Sequence, residues 1–183
     1  NTPTASAEIW QPDESQSPKR SVHRGCIRHV GRTKLLGNRA PLLAASGCVG
    51  ITGGLEVPVA RLLSLIDKGV SLEQAAQVCH ALSGAGIHTH AYLIFGYPTE
   101  TAQDTIDGLE FVRQLFEAGC LASVFWHRFT LTAYSPMAQR PSDFGITVPP
   151  QPPRPFSHYA LAYDEPAAPD HTAFRSGLRR ATD

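Results

Sequence analysis

Four short stretches of this 183-residue chain carry side chains that could do chemistry. Gly53-Gly54-Leu55-Glu56 sets a carboxylate directly behind a glycine pair. Glycines let a backbone approach a ligand closely, and a carboxylate accepts hydrogen bonds from hydroxyl or amino groups. The plainer reading of Glu56 is a charge that complements the dipole of a helix opening at Pro58. Gly96-Tyr97-Pro98-Thr99-Glu100 is the second stretch. Read plainly, it is a tight turn in which Thr99 or Thr101 caps a helix and Glu100 sits in its first turn. His88-Thr89-His90 has the spacing of two imidazoles on one side of a strand, which suits the ligands of a metal-dependent barrel hydrolase. Trp126-His127-Arg128 sets a titratable group and a cation among large apolar ones. Arg128 suits a carboxylate and His127 an acid/base role, or the two form a structural pair.

Residues 86–101, GIHTHAYLIFGYPTET, position most of these groups. The aliphatic and aromatic run lacks strict alternation and reads as a strand buried on both faces of a parallel sheet or barrel. The break after Phe95 then marks the carboxyl end of that strand, where α/β folds place their ligands. His88 and His90 fall at the opposite, amino end.

The flanking elements are legible by period. A short helix opens at Pro41 and stops at Gly47, and residues 48–52 follow as a short strand with residues 53–56 as a loop at its carboxyl end. The next helix opens at Pro58 with Val59, Leu62, Leu63 and Ile66 on one stripe, and Lys68-Gly69 ends it. Ser71-Leu72-Glu73-Gln74 reads as a capping box for a helix with Leu72, Ala75, Ala76, Cys79 and Leu82 inside. After residues 86–101, a helix with the stripe Ala102, Thr105, Ile106, Leu109, Val112 and Phe116 leads to Gly119, and residues 121–132 form an aromatic third strand. The order β-αα-β-α-β with short connections implies right-handed parallel units, half of a doubly wound sheet or half of a (β/α)8-type barrel.

Formal net charge is zero, but residues 1–40 carry a balance of +4 and residues 41–146 one of −4. Apolar periodicity sits in the middle block. Residues 1–40 read as a disordered basic tail, residues 41–146 as the globular part, and residues 147–183 as a Pro-rich linker with a final turn near 174–180. The basic tail could serve as a nucleic-acid arm, but it lacks interleaved aromatics and helical register, so neither a nucleic-acid nor a membrane partner is expected. Cys26, Cys48, Cys79 and Cys120 lie 22, 31 and 41 residues apart, with no metal-loop spacing. With no signal peptide and no spanning apolar run, the expectation is a reduced, cytoplasmic protein.

GCVGITGGLE, DKG and AGIHTHAYLIFGYPTET, in that order, resemble the middle of the radical S-adenosylmethionine barrel. The likeness is to the branch whose members often carry a cobalamin-binding domain. FWHRFTLTAYSP followed by Phe144-Gly145-Ile146 resembles a subgroup of it, and the resemblance runs from about residue 42 to residue 146. It implies an α/β fold, a partial (β/α) barrel of parallel strands with covering helices. Glu56, after Gly53 and Gly54, would then contact the ribose or amino-acid part of S-adenosylmethionine. Ile94 and Gly96 would pack against adenine, with Tyr97 and Pro98 shaping the turn. His127 and Arg128 would face substrate or cofactor.

That family cleaves its cofactor at a [4Fe-4S] cluster held by a CxxxCxxC loop, which this sequence lacks. The family's first strands are absent as well. The expectation is a piece of such an enzyme, from a truncated or frame-shifted gene, whose partner is a missing N-terminal half of the barrel and which is inactive alone. Its cofactors would be those of the parent family: S-adenosylmethionine, the cluster and cobalamin.

Overall fold

The computed structural model describes residues 21–24, 37–152, 159–166 and 168–180, the first four by backbone alone. Four strands form one sheet: β1 (Ser21–Arg24), β2 (Cys48–Glu56), β3 (His88–Phe95) and β4 (Ser123–Arg128). They pair in chain order and all run parallel. A doubly wound sheet reverses its strand order at a switch point. This one does not reverse, so each crossover advances the same way and delivers its helices to the same face. A stretch of barrel wall has this form, and so has one half of a doubly wound sheet.

The helices confirm that single covered face. They are α1 (Ala40–Ala45), α2 (Ala60–Leu65), α3 (Leu72–Gly84) and α4 (Ala102–Glu117). Ala75 and Cys79 of α3 and Val112 and Leu115 of α4 meet Leu55, Ala91 and Leu93 of the sheet. Nearer β1, Ala40 of α1 and Val78 and Leu82 of α3 close over Cys48 and Ile51. The expected capping box is present: Ser71 Oγ accepts from the Gln74 N–H at 3.2 Å, and Gln74 Oε1 accepts from the Ser71 N–H at 3.0 Å.

Several expectations need correction. β3 is not buried on both faces. Thr89, Ala91, Leu93 and Phe95 lie under the helices, whereas His88 and Tyr92 are exposed and His90 and Ile94 half-buried on the other side. Residues 53–56 are not a loop but the carboxyl-terminal four residues of β2, because β3 pairs with them; the register shifts between Gly54 and Glu56, a bulge. The second helix begins at Ala60 rather than Pro58, which is buried against Gly108 of α4. α4 is also rotated from its expected stripe. Thr105, Gly108, Val112 and Leu115 are buried, and Ile106 is 53% exposed.

The ends depart furthest. Residues 21–24, expected within a disordered tail, form β1, while the rest of residues 1–36 lies outside the described residues. Residues 147–183 were expected as a linker. Instead Val148, Leu161 and Tyr163 pack on Val57, Leu62, Tyr97 and Leu131, and α6 (His171–Arg180) follows. Single bridges, Thr132 with Ala160 and Thr147 with Asp164, fasten this return beyond a short helix α5 (Pro136–Gln139). Prolines thin out backbone donors but leave apolar side chains free to pack, so a Pro-rich segment can still cover a core.

Candidate functional site

The turn after β3 is built around a buried carboxylate. Glu100, 3% exposed, accepts from the Tyr97 N–H at 2.9 Å and from Thr105 Oγ1 at 2.7 Å. It is therefore a brace of the turn rather than a first-turn dipole charge. Thr101 caps α4 in a reciprocal box with Asp104. Arg61 of α2 reaches across to Thr99 O at 2.8 Å and to Asp104 Oδ2 at 2.5 Å. Gly96 has φ 76, and a Cβ there would lie 3.4 Å from the His171 ring. The positive φ favours glycine, while the ring lies at ordinary contact distance from such a carbon.

Glu56 does not serve a helix dipole, as its plainer reading had it. At φ 62 it leaves the sheet at the bulge, and its Oε1 meets Lys68 Nζ at 2.6 Å. Lys68 was expected with Gly69 at the helix end, but α2 ends at Leu65 and the ammonium swings to this carboxylate instead. The carboxylate folds back over Gly54, where a Cβ would come within 2.3 Å of it. Here the glycine makes room for the protein's own side chain. The pair is largely enclosed, with 11% of Lys68 and 23% of the Glu56 side chain exposed. Burial, then Glu56, then Glu100 push the Tyr97 hydroxyl up to about 12, which places Glu56 in electrical contact with the turn after β3.

The candidate residues therefore divide. Glu56, Gly54 and Tyr97 gather at the carboxyl ends of β2 and β3. Ile94, Tyr97 and Arg128 line one cleft of about 720 Å3 there, with Asp67 and Arg140 adding charge. Pro98 is among the fully buried side chains and supports the turn without facing the cleft, and Gly53 lies buried within β2. His127 stands on the open face, stacked against Phe125 at 4.5 Å and Tyr92 at 5.4 Å between ring centres. Arg128 lies one residue on and is out of register with it, so the two do not form the structural pair considered above. His90 Nδ1 is hydrogen-bonded to Ser123 Oγ at 2.7 Å, and burial lowers its pKa. Among the described residues, no group of three His, Cys, Asp or Glu comes together as a metal site. Lys68 and His171 were missed as neighbours of the site: both belong to loops or tails whose reach no periodicity encodes.

No protein-family model matches the chain, and no curated protein does. Solved structures do. The chain superposes on TsrM, a radical S-adenosylmethionine methyltransferase from Kitasatospora setae, with a TM-score of 0.60 at 17% identity. The match covers 88% of this chain and 36% of that one, in the form with cobalamin and a [4Fe-4S] cluster bound. A second form, with tryptophan substrate and an S-adenosylmethionine analogue, gives the same score and covers 35%. The chain has the fold of that part of the methyltransferase. It spans about a third of the methyltransferase's length.

The described residues do not fit an iron–sulfur cluster. Cys48, Cys79 and Cys120 are free and buried. Burial, and then Cys120, push the Cys79 thiol up to about 12, whereas a cluster ligand must be a thiolate. Cys26 lies outside the described residues.

Proposed function

We propose that this chain supplies the S-adenosylmethionine-contacting part of a radical S-adenosylmethionine enzyme, with the cluster ligands carried by a missing N-terminal half of the barrel. The observation that carries the reading is Glu56. It is held by Lys68 over a glycine at the carboxyl end of a parallel strand, next to the Gly96–Pro98 turn. A carboxylate with a fixed cation on one oxygen keeps acceptor capacity for the ribose hydroxyls or amino group of a nucleoside-containing ligand. Ile94 and Tyr97 offer the apolar surface that an adenine would stack on. Cobalamin would be a cofactor of the whole enzyme, and no residue here is assigned to it. The fold likeness to TsrM supports this reading.

Among the described residues nothing completes a metal site at His88 and His90 for the hydrolase alternative, and most of the basic arm lies outside the described residues.

Calorimetric titration with S-adenosylhomocysteine, a non-reactive relative of the cofactor, tests the reading. Saturable binding weakened at least tenfold by Glu56→Gln is expected. A folded protein that shows no binding overturns the assignment. Anaerobic iron–sulfide reconstitution of the chain should yield no stoichiometric cluster and no 5′-deoxyadenosine; a well-formed cluster with turnover would sink the idea that the missing half is needed.

A further inference from the structure

A second cleft, of about 420 Å3, opens between the segment after β4 and the returning chain around residues 161–172. Leu131, Leu161 and Tyr163 give it an apolar wall. Arg128, Glu165, Asp170 and His171 give it polar groups, and their hydrogen bonds are incomplete. The Arg128 guanidinium makes no hydrogen bond or ion pair with another described residue, although two carboxylates line the same cleft. Glu165 commits only Oε1, which accepts from the Thr99 N–H at 2.6 Å, and Asp170 only Oδ1, which accepts from the Thr172 N–H at 3.0 Å. His171 is 7% exposed, and neither ring nitrogen has a partner among the described residues.

Buried imidazole nitrogens without partners are costly and uncommon, so this ring points to a group that completes it. The charges identify that group. Burial and then the Glu165 carboxylate raise the pKa of the Tyr163 hydroxyl, while Arg128 draws it down. Opposite charges thus reach one phenol without pairing with each other. A simple anion would meet two carboxylates, and a simple cation would meet Arg128. A molecule with both charged groups on one carbon suits both, and its apolar remainder suits the wall. Arg128 also lines the larger cleft, so it stands where the two spaces meet.

We infer that this second cleft binds a free α-amino acid with an apolar side chain. Its carboxylate meets Arg128, its ammonium meets Glu165 and Asp170, and His171 completes the hydrogen bonding. The inference does not rest on S-adenosylmethionine binding at Glu56.

Calorimetry with L-phenylalanine, 3-phenylpropionate and phenethylamine tests it, because the last two each lack one charge. L-phenylalanine should bind saturably and at least tenfold tighter than either. Arg128→Gln should weaken L-phenylalanine at least tenfold and leave phenethylamine unchanged. His171→Asn should weaken L-phenylalanine several-fold; since His171 also packs on Gly96, the exposed Arg128 keeps the test open should that variant not fold. Two results would overturn the inference: no saturable L-phenylalanine binding to folded protein, or 3-phenylpropionate binding as tightly.

Discussion

At the residue scale, the Glu56–Lys68 pair is the most informative contact. Exposed ion pairs contribute little, but this one is mostly withdrawn from water and its carboxylate lies over a glycine. Lys68→Met leaves that carboxylate enclosed without its cation. The expected cost is about 1–3 kcal/mol in urea unfolding, the range for stranding a buried polar group. Adding Glu56→Gln should recover part of the loss, since the stranded charge is then gone. A Lys68→Met protein as stable as the parent would mean that water already solvates Glu56. Glu56 was visible in the sequence as a carboxylate behind two glycines. Its partner was not, because residues twelve apart across a helix meet only when α2 ends three residues before Lys68 and the chain turns at Asp67, φ 48.

At the scale of elements, α4 shows how tertiary contacts choose between faces of one helix. Its sequence offers an apolar stripe through Ile106, yet the buried face runs through Thr105 and Gly108. Two contacts turn it. Thr105 donates to the buried Glu100 carboxylate, and Gly108 lets Pro58 approach so closely that a Cβ would lie 3.0 Å from its Cγ. Gly108→Val should therefore destabilise the protein by about 1–3 kcal/mol, the usual penalty for overpacking. Ile106→Gln should change stability by less than about 0.5 kcal/mol, as surface substitutions do. Thermal melts of the two variants decide which face is the core, and the reverse order of effects would mean that the helix is misoriented.

At the scale of the whole molecule, protons buried with the core set an alkaline limit. The Cys79 thiol is pushed from 9.0 to about 12 by burial and by Cys120, and the Tyr97 hydroxyl from 10.0 to about 12 by burial, Glu56 and Glu100. Both groups ionise more readily in the unfolded chain than in the folded one. The folded state therefore binds more protons over this range, and stability falls as pH rises. The contribution is complete below about pH 9 and lost progressively towards pH 12. Tm should decline steadily above pH 9, and Cys79→Ala should flatten the decline. A Tm that stays level to pH 11 would contradict these shifts. The same molecule leaves its other sheet face open, with Tyr92 43% and Phe125 53% exposed beside His90 and His127.

By itself the sequence determined what depends on near neighbours. The Ser71–Gln74 box, the strand over residues 88–95 and its break before Gly96 rest on spacings of two to four residues and on glycine and proline geometry. The parallel αβ order followed from those, and so did a barrel wall as one of two outcomes. Only the tertiary structure decided the rest. The chain-order pairing of the strands is a relation among them that no single segment encodes, and the superposition on the methyltransferase joins it to a barrel wall rather than to half of a doubly wound sheet. β3 turned out to be covered on one face, since burial depends on which layers exist to cover it. The described residues after Pro141 fold over the carboxyl ends of the strands, bringing His171 to Gly96 and Glu165 to Thr99. Those contacts join positions more than sixty residues apart and leave no periodic trace, which is why the second cleft could be read only from the folded chain.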